Sequence, residues 1–100
     1  WKVLWSRLML KIEYQGQFKK DFKSAVKRGC DIAEFQKVVS MLANRQPLPV
    51  KYKDHALTVS REYKDVRECH IKPDWLLIYR ICDDELVLML IRTGTHSDLF

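Results

Sequence analysis

The sequence predicts an α+β domain of two layers, in the order β-α-α-β-β-β, with two N-terminal helices packed on one face of an antiparallel sheet. Three observations predict it. Apolar residues recur every four positions at Phe18, Phe22 and Val26, and recur again at helical spacing through Ile32, Phe35, Val38, Val39 and Leu42. The second half instead carries short continuous apolar runs, Trp75 to Cys82 and Leu86 to Ile91, separated by Asp83-Asp84. Two helices of this length joined by a tight turn cannot bury both stripes against each other, so both need the sheet.

Each element follows from local chemistry. Leu10 to Tyr14 alternates apolar and polar residues and reads as a short strand. The first helix, with Lys19, Lys20, Lys23 and Lys27 around its apolar stripe, ends at Gly29. Asp31-Ile32-Ala33-Glu34 is the pattern of a capping box and opens the second helix, which Asn44 to Pro49 stops. A loop through His55 then leads to three strands, about Arg61 to Ile71, Trp75 to Cys82 and Glu85 to Arg92. The phenylalanines Phe18, Phe22 and Phe35 belong to the core, and the sheet face opposite the helices is left for ligand.

The chain of 100 residues, 47% hydrophobic and 31% charged, has the size of one small domain. Residues 1 to 8 read as an N-terminal extension before a start at Met9, and residues 9 to 100 as the domain itself. Both apolar runs fall short of the roughly 20 residues that span a membrane, so the protein is expected to be soluble and cytoplasmic. Three cysteines without a CxxC pair argue against a disulfide framework or a zinc knot and for a reducing compartment. The net charge of +5 is uneven: residues 1 to 30 hold eight Lys or Arg against Glu13 and Asp21. A basic face of this kind suits a polyanion or an acidic partner. Charge alone suits a solvated helix face equally well; where the partner is RNA, Lys19, Lys20 and Lys23 are expected to contact its phosphates away from any reacting centre.

Candidate chemistry gathers in the C-terminal half. A hairpin turning at Asp83-Asp84 makes Trp75 a neighbour of Arg92, and a preceding strand brings His70 to the same edge, beside Asp74. Histidine is the side-chain type suited to giving and taking protons near neutrality, and the chain has three, His55, His70 and His96. An arginine offers a permanent charge to a pentavalent phosphorane, the role open to Arg92. Asp74 is open to three readings: base, partner that orients a histidine, or turn former after Pro73. Trp75 either stacks on a base or packs in the core. The histidines lie 15 and 26 residues apart, a spacing that does not suit a zinc site, and no metal or cofactor is expected.

These blocks resemble a known family. From about Leu10 to Phe100 the chain is similar to the YafQ branch of the RelE/ParE superfamily of bacterial toxins. The likeness rests on Tyr14 to Phe22 with Lys19-Lys20-Asp21, on Pro47-Leu48-Pro49 and Tyr52 to Leu57, on His70-Ile71-Lys72-Pro73-Asp74-Trp75 with Leu76 to Tyr79, and on Arg92-Thr93-Gly94-Thr95-His96 through Phe100. It implies a RelE-like microbial RNase fold and ribosome-dependent cleavage of mRNA in the A site without a metal. The ribose 2′-hydroxyl attacks the adjacent phosphate. The matching positions are His55, His70, Asp74, Arg92 and His96, with Trp75 and Phe100 shaping the site and His96 leading for proton transfer. The partner implied is an antitoxin of the DinJ or RelB type. Two departures stand out. The loop after His55 lacks the glycine its relatives carry, which bears on where His55 sits. The histidine set also differs from the lysines and arginines of RelE itself. The alternative is a ParE-like toxin that binds a protein such as gyrase and cuts nothing.

Overall fold

A computed structural model describes residues 9–57 and 66–99. The expected N-terminal extension, the start of the strand expected from Arg61, and Phe100 lie outside the described residues. The elements are β1 (Lys11–Tyr14), α1 (Gly16–Lys27), α2 (Ile32–Ala43), a 3-10 turn (Val50–Tyr52), β2 (His55–Leu57), β3 (Val66–Lys72), β4 (Trp75–Cys82), β5 (Val87–Gly94) and a short α3 (His96–Leu99).

Helix ends form where the sequence signals them. After α1, Gly29 takes a φ of +79° and donates to Val26, while Cys30 N–H reaches back to Ala25 at 3.1 Å. That double bond from beyond the helix end is a Schellman motif, and the left-handed residue it needs is the reason for glycine there. The same motif ends α2, with Arg45 in the left-handed position and Gln46 N–H on Met41 at 2.9 Å. At the start of α2 the Asp31 side chain accepts from Glu34 N–H at 3.2 Å. Only half of the expected capping box forms, because the Glu34 carboxylate is taken by the Tyr52 hydroxyl.

The two-layer architecture is as the sequence predicts, and the sheet is mixed. Its order is β1-β5-β4-β3-β2. The strands β3, β4 and β5 form the expected antiparallel meander, but β1 runs parallel to β5, with Lys11 opposite Val87 and Tyr14 opposite Leu90. The outer edge of β3 is taken by β2, so the edge left for β1 is that of β5, which runs the same way. Residues 55–57, expected in a loop, are themselves the fifth strand.

Apolar residues fill both faces. On the helix side Phe18, Phe35, Trp75, Leu77, Tyr79 and Leu90 join one core, with Phe35 stacked on Trp75 at 6.0 Å. The other face, expected to be left for ligand, carries a second cluster of Leu57, Val66, Leu76, Ile78 and Ile91, onto which α3 packs Leu99. The hairpin register also differs from the expected one. Arg92 stands opposite Ile78 and Gly94 opposite Leu76, and one extra residue at Ile91 bulges between the Ile78 and Tyr79 pairings. Trp75 is thus three positions removed from a cross-strand partnership with Arg92. A bulge re-aims the side chains next to it, and Arg92 here reaches α1 while Ile91 stays with the far cluster.

Candidate active site

Strand pairing builds the histidine group. His55 stands opposite Glu68, Glu68 opposite Ile78, and His70 opposite Leu76, so all three polar residues share the face that α3 covers in part. Glu68 is only 4% exposed, and its carboxylate Oε1 lies 3.4 Å from His55 Nε2 and 3.6 Å from His70 Nε2. Behind these contacts, His55 Nδ1 lies 2.7 Å from the Lys53 carbonyl and His70 Nδ1 lies 3.3 Å from the Pro73 carbonyl. Each ring therefore faces an oxygen acceptor on both sides, an arrangement in which only a doubly protonated ring can donate to both. The buried Glu68 carboxylate thus faces a ring nitrogen on each side, polar partners of the kind a buried carboxylate requires.

The loop after His55, where the glycine is missing, lies outside the described residues, and the turn before His55 is clamped. Lys53 supplies the left-handed residue, at φ +49°. Next to it Asp54 accepts from Arg67 Nη2 at 3.0 Å and from the hydroxyl of the fully buried Tyr79. Burial first, and that hydrogen bond second, push the Tyr79 hydroxyl well above its ordinary value, so it stays a donor.

Arg92 belongs to a second place. A cavity of about 460 Å³ between α1, the start of β4 and the end of β5 is lined by Asp21, Arg28, Asp74, Trp75, Arg92 and Asp98 among others. The expected meeting of His70, Asp74, Trp75 and Arg92 at one edge is thus divided: three of the four line this cavity, and His70 does not. Arg92 pairs with the Asp21 carboxylate, at 2.9 Å from Nε and 3.1 Å from Nη2. Burial opposes ionisation of Asp21, but the hydrogen bonds from Arg92, Gln17 and Thr93 N–H outweigh it and hold the carboxyl below its ordinary value. Trp75 is 4% exposed and stacked on Phe35, which places it in the core, with its indole N–H buried and unbonded.

His96 opens α3 as an exposed residue, where Thr95 and Asp98 cap the helix reciprocally: Thr95 N–H reaches the Asp98 carboxylate at 3.0 Å and Asp98 N–H the Thr95 hydroxyl at 3.1 Å. Lys19, Lys20 and Lys23 are exposed on α1. Lys19 and Lys23 also flank an apolar groove of about 670 Å³ that includes Tyr14, Phe18, Phe22 and Val39. Cys69 is buried, which pushes its thiol up to about 12 and leaves it no thiolate for nucleophilic work.

Sequence reasoning missed Glu68 and Asp21. Glu68 had a signal, since it lies two residues before His70 on one strand and strand period two puts both on one face. Asp21 had none, because its partner is 71 residues away.

A small mixed sheet with two helices on one side is an architecture that known proteins share. The model of the family described as "Bacterial toxin of type II toxin-antitoxin system, YafQ" matches residues 10–100, and the chain belongs to that family. It is 47% identical over 90 residues to the mRNA interferase toxin YafQ of Escherichia coli strain B, covering 89% of this chain and 94% of that protein. The crystal structure of a metal-bound toxin from Helicobacter pylori superposes with a TM-score of 0.86 at 52% identity, over 92% of this chain and all of that one. YafQ in the E. coli DinJ-YafQ toxin-antitoxin complex superposes with a TM-score of 0.81 at 44% identity, over 92% of this chain and 98% of that one.

The H. pylori relative raises the question of a metal in this chain. Among the described residues no group of three or more His, Cys, Asp or Glu side chains is arranged to hold a metal ion. The two Nε2 atoms face Glu68 at ion-pair distances, and both Nδ1 atoms are turned to backbone carbonyls.

Proposed function

We propose that this chain is an endoribonuclease toxin, an mRNA interferase that cuts mRNA in the ribosomal A site and is neutralised by a DinJ-like antitoxin. The names of its relatives support the RNase activity and the antitoxin. The observation that carries the chemistry is the carboxylate of Glu68 between His55 and His70, on the sheet face against which α3 packs behind His96.

Cleavage by the 2′-hydroxyl needs three things: a group to take its proton, a group to protonate the departing 5′-oxygen, and positive charge for the phosphorane. His96, exposed at the start of α3, is the leading group for proton transfer. His55 and His70, held by Glu68 and by backbone carbonyls, share the phosphate contact and the second proton transfer. Asp74, which lines the cavity with Arg92, orients a proton-transfer group or serves as base, and Arg92 meets the charge that develops on the phosphorane oxygens. Trp75 supports the floor of the cavity from the core. No step is routed through a metal. The products are a 2′,3′-cyclic phosphate and a 5′-hydroxyl. The comparisons lend no support to the alternative of a ParE-like toxin that binds gyrase. No helix among the described residues is long and apolar enough to cross a membrane.

Primer extension on a ribosome-bound message tests this, with the same message free of ribosomes and a chelator series beside it. The expected result is cleavage only on the ribosome, with cyclic-phosphate ends, surviving excess chelator once the ribosomes keep their magnesium. Cleavage of free RNA at the same rate overturns the ribosome dependence. Activity lost to chelator and restored by one equivalent of zinc or copper overturns the metal-free mechanism. Intact message throughout, with translation arrested, overturns the nuclease reading.

A further inference from the structure

The C-terminal arm that carries Arg92 and His96 is gripped by a single helix at two points. Asp21 of α1 accepts from Arg92 Nε at 2.9 Å, from Arg92 Nη2 at 3.1 Å and from Thr93 N–H at 3.2 Å. Its remaining acceptor position is filled by Gln17 Nε2 at 3.1 Å, so each carboxylate oxygen has two donors and the group is saturated. Arg28, which caps the same helix, places Nη1 2.7 Å from the Asp98 carboxylate, and that carboxylate also accepts from Thr95 N–H at the start of α3. Asp21 and Arg28 are seven residues apart, about two helical turns, and so lie on one side of the helix. Their polarity is crossed, acid to base at one point and base to acid at the other. A shift of the arm along the helix would set like charges against each other, so only one register satisfies both grips.

We infer that Asp21 is a positioning residue for Arg92, with Arg28 giving weaker support to α3 and His96, so that α1 sets the geometry of the arm during RNA cleavage. This rests on the reading that Arg92 and His96 act at the cleavage site. The side-on pair fixes the plane of the guanidinium, because two parallel hydrogen bonds leave a planar group little freedom to turn. The two grips differ in shielding. The Asp21 side chain is 10% exposed, whereas Arg28 is 54% exposed and open to solvent screening. Space at the second grip is also tight: a Cβ added at Gly94 would stand 3.0 Å from Asp98 Cβ, so the arm closes down on its own cap.

The test is single-turnover cleavage of a ribosome-bound message by the full chain, wild type beside Arg92→Ala, Asp21→Ala, Asp21→Asn, Arg28→Gln and the double variant Asp21→Ala/Arg92→Ala. Misplacing a catalytic group by about an ångström can cost about a hundredfold, so Asp21→Ala is expected to cleave about ten- to a hundredfold more slowly at saturating ribosome, with ribosome affinity unchanged. Arg28→Gln is expected to lose only about threefold, as befits a screened pair. The double variant is expected to be no slower than Arg92→Ala, because a residue that acts through Arg92 has nothing further to lose. In the nitrogen–proton spectrum, the Arg92 Nε–H signal of the folded protein is expected to lose its protection in Asp21→Asn and keep it in Arg28→Gln. Asp21→Asn keeps the size and one acceptor, and carries the test if Asp21→Ala fails to fold. Wild-type cleavage by folded Asp21→Asn beside a defective Arg92→Ala overturns the positioning role alone. Multiplying losses in the double variant also overturn it. Normal cleavage by Arg92→Ala overturns the placing of Arg92 in the site, and the role of Asp21 with it.

Discussion

The histidine group on the sheet and the arginine cavity beside α1 are built by different means. His55, Glu68 and His70 come from adjacent strands, their partners set by register and by backbone carbonyls two or three residues away. Arg92 is held by a residue 71 positions earlier, and Asp98 by one 70 positions earlier. The first place gathers two imidazole rings around one buried carboxylate, with His55 50% exposed and His70 22%. The second fixes permanent charge in a saturated ion pair. Acid–base groups work when they can reach both solvent and substrate, whereas a charge meant for a transition state works when its surroundings need not reorganise. The two places thus draw on two kinds of order, one from the sheet and one from a helix, and α3 borders both.

That division can be broken at its joint. His96→Ala is expected to lower single-turnover cleavage by at least about a hundredfold with the fold intact, the usual share of general acid–base catalysis. A rate within tenfold of wild type would move proton transfer wholly onto the sheet histidines.

A test of the sheet side is Asp54→Ala. It leaves the Tyr79 hydroxyl buried without its acceptor and Arg67 without its carboxylate. An orphaned buried donor costs about 1–3 kcal/mol, and each kcal/mol lowers the melting temperature of a domain this size by about 4–8 °C. A melting temperature equal to wild type would show that the clamp before His55 does not stabilise the strand.

On the arginine side the expected effect depends on pH. The folded Asp21 carboxyl titrates below its ordinary 3.8. On acidification the unfolded chain therefore takes up the proton first, and the stability this group contributes is full above the unfolded value and lost as pH falls through the folded one. Denaturant unfolding of wild type and Asp21→Asn is expected to show a gap at neutral pH that closes below about pH 4. A gap constant down to pH 3 would mean that shape rather than charge holds Arg92.

The smallest expected effect lies outside both places. Lys19→Glu with Lys23→Glu is expected to weaken ribosome binding and to reduce its logarithmic salt slope by about two, leaving the sequence preference of cleavage unchanged. An unchanged slope, with weakened antitoxin binding, would assign these lysines to the apolar groove they flank.

The elements and the inventory of reactive groups were legible in the sequence because their signals are local. Helical stripes, the Asp31 cap, the glycine after α1 and the antiparallel meander all act within a few residues, and they formed where expected. Glu68 was legible too, from its place two residues before His70. The tertiary structure alone decided which groups meet: that β1 lies parallel to β5, that residues 55–57 add a strand opposite Glu68, that Trp75 faces Phe35, and that Arg92 binds Asp21. A bulge of one residue at Ile91 shifts the register, and the crossing of α1 over the sheet selects a partner some seventy positions away. Neither leaves a local trace, because both depend on how two layers settle against each other after their elements have formed.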